Sequence, residues 1–203
     1  MEVTETGGQA SLDFPETSIR FGITSTTELR LSAPNYLWNA AAAGANGFGD
    51  LSFGLKQQLR SIQGFEISLI PSLSVPTGSH SLSSHGYDPI LQLPWSRSLT
   101  KTWTIAGQLG VAWPTESGRR NTIGQTSLYF DRQLTSPFDV YLEYSGNFAQ
   151  SGSPQHVIDF GAAYKTSPHQ QIDLHCGFGL SAAAPRYFVG LGYSFRLQVI
   201  GSH

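Results

Sequence analysis

The sequence predicts an all-β fold, an antiparallel up-and-down transmembrane β-barrel of about twelve strands. Three observations predict it. The first is the stretch from Trp103 to Trp113, where Trp103, Ile105, Gly107, Leu109, Val111 and Trp113 alternate with Thr104, Ala106, Gln108, Gly110 and Ala112. Period-two alternation marks a strand with one apolar face. At about 3.3 Å per residue such a strand runs about 33 Å, and a tilt of about 40° reduces its height to about 25 Å, the apolar band of an outer-membrane barrel. The second is charge. Only 13% of residues are charged, about half the share of a soluble domain, and in the strands nearly every charge falls opposite the apolar face. The third is the spacing of connections, which alternate between short turns and longer loops.

The elements follow in order. Residues 1–6 read as the end of a strand. Residues 18–24 set Ile19, Phe21 and Ile23 against Arg20, and 28–33 set Leu29 and Leu31 against Glu28 and Arg30. Segment 49–59 places Leu51, Phe53 and Leu55 opposite Asp50, Ser52 and Lys56. Segment 64–76 places Phe65, Ile67, Leu69 and Leu73 opposite Glu66, Ser68 and Ser72. Residues 88–98 alternate less cleanly, and 102–113 is the strand described above. Segment 121–133 sets Leu128 and Phe130 against Ser127, Tyr129 and Asp131. In 138–148, Phe138, Val140, Leu142, Tyr144 and Phe148 oppose Asp139, Tyr141 and Glu143. Segments 155–166, 170–181 and 187–199 complete the series, with Asp159 and Lys165, then Asp173 and His175, then Ser194 and Arg196 on their polar faces. The intervals 7–17, 34–48, 77–87, 114–120, 149–154 and 182–186 read as the longer loops. An even strand number puts both ends on the short-turn, periplasmic side. One domain over 1–203 is expected.

Composition excludes several classes. The net charge of −2 offers nothing to nucleic acid. No apolar run approaches 18 residues, so no transmembrane helix is expected. The single cysteine, Cys176, permits no internal disulfide and no multi-cysteine metal site, and reads as lipid-facing packing. The opening residues lack the pattern of a signal peptide. Export to an outer membrane requires one, so the N-terminus reads as incomplete and the first strand as truncated.

Several phrases in fixed order carry a family resemblance. They are Ile19-Arg-Phe-Gly-Ile-Thr24, Glu28-Leu-Arg-Leu31, Gly49-Asp-Leu-Ser-Phe-Gly-Leu-Lys56, Pro71-Ser-Leu-Ser-Val-Pro-Thr-Gly78, Gln171-Ile-Asp-Leu174 and Phe188-Val-Gly-Leu-Gly-Tyr-Ser-Phe-Arg196. Together they resemble the outer-membrane family described as meta-pathway phenol-degradation proteins, often called simply transporters. The resemblance implies a bacterial outer-membrane barrel and a channel for small hydrophobic or aromatic solutes. It supplies no catalytic residues. Gly190-x-x-Tyr193-x-Phe195 resembles the terminal-strand signal read by the barrel assembly machinery, although eight residues follow Phe195.

The residues expected to line the lumen are Arg20, Arg30, Lys56, Glu66, Glu143, Asp159, Lys165, Asp173, His175 and Arg196. Their bland role is ion pairing that fills and braces the interior; their functional role is a polar pore lining. Twelve strands fall between filled eight-stranded barrels and open porins, so a narrow lumen is expected. Trp103, Trp113, Phe138 and Phe148 read as the aromatic girdle at the two membrane interfaces. Segment 34–48, with an alanine run that favours a helical turn and with Tyr36 and Trp38, is expected to tuck over or into the lumen as a constriction. The inward glycines Gly161, Gly177, Gly179, Gly190 and Gly192 read as room for bulky neighbours such as Tyr141 and Phe188, or as a groove for a loop or ligand. Pro71 and Pro94 read as bulges, or as a lateral opening. Partners are outer-membrane lipid, a small solute and the assembly machinery. No cofactor, metal or catalytic residue is expected. The alternatives are a hydrolase using His80 and His85 or the pair Asp173 and His175, a structural barrel with a sealed lumen, and a soluble β-sandwich.

Overall fold

The computed structural model of the chain describes residues 1–40 and 46–197. Twelve strands form the wall. They are β1 (Glu2–Thr6), β2 (Gln9–Asp13 and Thr17–Gly22), β3 (Thr27–Ala33 and Tyr36–Asn39) and β4 (Gly47–Phe48 and Leu51–Gln58). Then come β5 (Glu66–Val75), β6 (Asp88–Ser98), β7 (Trp103–Ala112) and β8 (Ile123–Thr135). The last four are β9 (Phe138–Ala149), β10 (Gln155–Ser167), β11 (Gln170–Gly179) and β12 (Tyr187–Phe195). A separate two-residue ladder, Thr115–Glu116 with Arg119–Arg120, sits in the loop after β7.

Each strand pairs antiparallel with its sequence neighbours, and β1 pairs with β12 through Glu2↔Gly190 and Glu5↔Tyr187. The ring is therefore closed through β12, β1, β2 and β3. In the upper part of the wall, closure satisfies backbone groups that an open sheet edge would leave bare in lipid. Adjacent strands are about 4.8 Å apart, so twelve of them tilted by about 40° enclose a ring about 24 Å across between backbones. β1 is short. The amine of Met1 donates to the Leu191 carbonyl at 3.0 Å, so β1 flanks only the upper part of β12. Below it, Thr17–Gly22 pairs with β3 alone and is exposed along its length.

Two segments expected to be loops are strand. Residues 9–13 pair with β1, and 11–13 pair with 37–39 in the same register that joins Thr17 to Ala33 lower down. Likewise Tyr36↔Phe48 and Leu37↔Gly47 continue the register of Glu28↔Lys56. Pro15 and Pro34 interrupt these ladders because proline has no N–H to donate. The prolines break the alternation that marks a strand, which is why the pattern reads as loop. Across the interruption the faces exchange. Below it the even residues Ser18, Arg20, Arg30 and Ser32 share the inward face. Above it the odd residues Ser11, Asp13 and Leu37 do, because they stand in register with inward Glu2. The alanine run expected to form a helical turn falls on residues 41–45, which lie outside the described residues, as do 198 and 199 of the predicted last strand.

The distribution of apolar residues is that of a membrane barrel. Among the described residues the buried hydrophobics are Ile70 and Ala184 alone. Leu109, Leu142, Phe160, Leu174 and Leu191 each expose 46–57% of their surface. An apolar surface this extensive has a physical rationale in lipid and none in water. The inward face instead buries Ser68, Asp88 and Asp159. Pro71 and Pro94 each interrupt one ladder without shifting it: β4 and β5 resume the same register on both sides of Pro71, at Gly54↔Ser72 and Gln57↔Leu69, and β5 and β6 do so around Pro94, at Ile67↔Trp95 and Ile70↔Gln92. With no register shift, neither proline forms the expected bulge.

Candidate pore lining

Residues directly opposite in a ladder share a face, so the inward set can be followed around the ring. One row runs Glu2, Gly190, His175, Gly161, Tyr141, Asp131, Thr104 and Ser98. The next runs Thr4, Phe188, Gly177, Asp159, Glu143, Tyr129, Ala106, Ser96 and Glu66. A third links Arg20, Arg30, Gly54, Ser72 and Ile90. Alternation places the expected lining residues Arg20, Arg30, Lys56, Glu66, Glu143, Asp159, Lys165, Asp173 and His175 inward on these ladders. Arg196 follows the end of β12, where its amide donates to the His169 carbonyl at 2.8 Å.

Below the mouth the charges are segregated. Arg20, Arg30 and Lys56 lie on β2, β3 and β4 with Glu28, while Asp13 and Asp50 stand higher on the same strands. Asp131, Asp139, Glu143 and Asp159 lie on β8, β9 and β10. These strand groups are six positions apart in a ring of twelve, so they are opposite walls. On the basic wall the Arg30 Nε donates to Glu28 Oε1 at 2.8 Å. A recess of about 230 Å³ opens beside Arg30, lined by hydroxyls of Ser18, Ser32, Ser52 and Ser72. On the acidic wall Lys165 Nζ meets Asp139 Oδ2 at 2.7 Å. Between the carboxylates Tyr129 and Tyr141 pack with ring centroids 5.0 Å apart. Both tyrosines stand on the polar faces that alternation predicts, although the expected lining set, chosen by charge, omits them.

Several expectations need correction. Tyr36 and Trp38 do not constrict the lumen. Each lies one residue from inward Leu37 and so faces outward, with 38% and 47% of its surface exposed. Tyr36 meets Phe48 edge-on at 5.1 Å, and its N–H and C=O exchange hydrogen bonds with Phe14, so these residues extend the outer aromatic band. The glycine wall is no groove. A Cβ on Gly161 would stand 2.5 Å from the Tyr141 ring, and one on Gly177 or Gly190 would strike Phe188 or His175. The glycines are bare so that neighbouring side chains can lie across them. His175 does not pair with Asp173; its Nε2 stands 3.2 Å from Glu2 Oε2, and Asp173 lies over Gly192. Glu2 reaches His175 across bare Gly190, which stands between them on β12. His85 Nε2 is engaged with the His80 carbonyl at 3.0 Å.

Of the girdle residues, Trp103 and Phe148 are outward and exposed. Phe138 stands opposite Tyr164, and the amide of Trp113 bonds Pro89 just above β7. Two outward arginines break the charge pattern, and both rest on this band. The Arg97 guanidinium lies 4.9 Å from the Phe65 ring centre, and that of Arg132 lies 5.0 Å from that of Trp103.

The segment that does lean over the mouth is 76–87. Asp50, inward at the top of β4, accepts the amides of Gly78 at 2.8 Å and Ser84 at 2.9 Å. Burial raises its pKa, but these amides and the hydroxyls of Ser83 and Ser84 outweigh that and hold it below the usual carboxylate value. Asp88 accepts both the amide and the hydroxyl of Thr115, tying this loop to the next. A cleft of about 500 Å³ lies between the two loops. No cluster of three or more metal-ligating side chains occurs among the described residues.

Comparison with known proteins agrees with this architecture. The NanC porin superposes with a TM-score of 0.72 at 12% identity, covering 97% of this chain and 98% of that one. An outer membrane channel from Pseudomonas putida F1 gives 0.64 at 14% identity, covering 95% and 89%. The KdgM porin gives 0.60 at 16% identity, covering 96% and 97%. At these identities the likeness is one of fold. No curated protein matches the chain by sequence. The resemblance carried by the phrases from Ile19 to Arg196 is met at the family level: residues 2–197 match the family described as "Putative MetA-pathway of phenol degradation", and the chain belongs to that family.

Proposed function

We infer that the barrel is an outer-membrane channel for small solutes, and that its solutes include aromatic ones. The observation that carries this reading is the inward pair Tyr129 and Tyr141, set among carboxylates on one wall and facing a serine-lined recess on the other. Tyrosine faces offer stacking surface to an aromatic ring. Carboxylates and serine hydroxyls offer acceptors to its hydroxyl groups. The lining is polar, so a hydroxylated ring suits it better than a plain hydrocarbon. Proteins of the same fold are named as porins and as an outer membrane channel, and the family description refers to phenol degradation. The terminal strand, ending Gly190-Leu-Gly-Tyr-Ser-Phe195, is the segment we assign to recognition by the barrel assembly machinery.

The test is ionic conductance across planar bilayers, with catechol added to one side and sorbitol as a control. Catechol is expected to interrupt the current and sorbitol to leave it open. Tyr129→Ala/Tyr141→Ala should shorten the interruptions about fivefold or more, the order of a lost aromatic contact. A protein that inserts but never conducts refutes the channel. Conductance with no difference between catechol and sorbitol refutes the aromatic preference and leaves the channel standing.

A further inference from the structure

We propose that the outer surface at the short-turn end of β6, β7 and β8 binds the phosphate of an anionic phospholipid headgroup from the inner leaflet. Arg97 and Arg132 are the basic residues that face outward from the interior of these ladders. Arg97 stands opposite Ile105 and Arg132 opposite Trp103, so they flank β7 on either side. Two ladder spacings across and two residues along the strand separate their backbones by about 12 Å, a gap that two long side chains close around one phosphate. Each guanidinium lies over an aromatic ring, Arg97 over Phe65 and Arg132 over Trp103. This fixes both cations at the depth of the aromatic band, where headgroups lie.

The surroundings are short of counter-charge. The three ion pairs of the described residues involve neither arginine. The turns beneath them add Arg60 and Lys101 and contain no carboxylate: Leu59-Arg-Ser-Ile-Gln-Gly-Phe65, Leu99-Thr-Lys-Thr102 and Leu134-Thr-Ser-Pro137. The nearby acidic residues Glu66, Asp131 and Asp139 belong to the inward rows, on the far side of the wall. Two outward cations on strands at headgroup depth, with two more in the turns below and no anion among them, have the chemistry of a phosphate clamp. Lys101 lies in the turn between β6 and β7, directly below the pair.

The test reconstitutes the full chain in nanodiscs of phosphatidylcholine with one fifth phosphatidylglycerol, releases it in mild detergent, and weighs the retained lipid by native mass spectrometry. Phosphatidylglycerol should be retained above its bulk fraction. Arg97→Gln/Arg132→Gln should lower that enrichment about tenfold or more, near fivefold for each cation removed. Arg119→Gln/Arg120→Gln, which removes equal charge at the long-loop end, should leave it unchanged. Folding of each variant is checked by the gel shift between boiled and unboiled samples. If Arg97→Gln/Arg132→Gln fails to fold, Arg132→Lys and Arg97→Gln are tested singly, with a partial loss expected from each. Equal retention of both lipids by the unaltered protein overturns the proposal. So does full enrichment in the β6–β8 variants, or equal loss in the loop variant.

Discussion

Leu142→Arg tests the assignment of the two faces. Leu142 is the fifth of the twelve residues of β9 and 46% exposed. It stands in a ladder row between Phe130 and Phe160, which expose 38% and 47% of their surfaces. A residue in a tilted strand gains about 2.5 Å of height, so Leu142 lies about 4 Å from the middle of the span. A cation facing lipid at that depth costs about 2–4 kcal/mol, a factor of roughly 30 to 900 in the folding equilibrium. The same change on a water-facing surface costs under about 0.5 kcal/mol. The inward counterpart is Ser145→Arg, three positions up the strand and facing the lumen, where water and the carboxylates of the acidic wall receive the charge; its cost should stay below about 1 kcal/mol. The assay is a reversible urea titration in phospholipid vesicles, followed by tryptophan fluorescence and by the boiled-gel shift. A loss from Leu142→Arg of less than 0.5 kcal/mol, or a larger loss from Ser145→Arg than from Leu142→Arg, would refute the inside-out reading. The lining residues would then be a solvated surface.

Two further perturbations address packing and the mouth. Gly161→Val should destabilise by about 1–3 kcal/mol, the range for overpacking, since its Cβ would press on the Tyr141 ring at 2.5 Å and the Leu174 carbonyl at 2.7 Å; the same urea titration reads the loss, and Gly161→Val/Tyr141→Ala should recover part of it. At the mouth, Asp50 has a depressed pKa when folded, so its support of loop 76–87 is fully present above the ordinary carboxylate pKa of about 3.9 and is lost as pH falls through the lower folded value. Amide exchange at Gly78 and Ser84, slow at neutral pH once intrinsic rates are divided out, should lose its protection below that value, and Asp50→Ala should abolish it at every pH by about tenfold or more. Protection that persists in Asp50→Ala would assign the loop's order to other contacts.

Most of the wall was legible because lipid and lumen impose opposite demands on alternate residues. From Leu51 onward the faces exchange only at the bulges that end β8 and β10, past Gln133 and past Lys165, and alternation finds β4 to β12, their short turns and the inward charges. It fails where the ladder survives without the pattern. Around Pro15 and Pro34 the pairing register is kept while the inward parity changes from even to odd, so a period-two reading sees noise and assigns a loop. The error carried Tyr36 and Trp38 into the lumen, when Tyr36's partners Phe48 and Phe14 and Trp38's exposed face, one residue from inward Leu37, place them in the outer band. Pairwise contacts between strands were also out of reach. Local sequence sets Asp173 two residues from His175, yet Glu2, 173 positions away, makes the contact, because only ring closure brings β1 beside β12.

Ring closure also explains the separation of charge. In a compact soluble core, opposed carboxylates and guanidiniums would collapse into ion pairs, since unpaired buried charge is costly. Here the wall holds them apart. Arg30 is satisfied by Glu28 two residues away on its own strand, and Lys165 by Asp139 one strand over. Arg20, on the basic side, and Glu143 and Asp159, on the acidic side, enter none of the ion pairs of the described residues. With about 24 Å between opposite backbones, long side chains from both walls leave a gap for water and solute. Below the mouth, where Arg20, Arg30 and Lys56 face only Glu28 on their own wall, a field then crosses the lumen from the β2–β4 wall to the β8–β10 wall. A dipolar solute with an apolar ring and a polar edge turns in such a field, its hydroxyls toward the carboxylates beside Tyr129 and Tyr141. Exchanging Glu143→Gln and Asp159→Asn together would weaken one wall while leaving the tyrosine pair in place. The reading therefore requires that catechol block become shorter and that cation preference, measured as reversal potential in a salt gradient, fall in the same variant. A fall in cation preference with block unchanged would show that the rings alone hold the solute and that the field does no orienting.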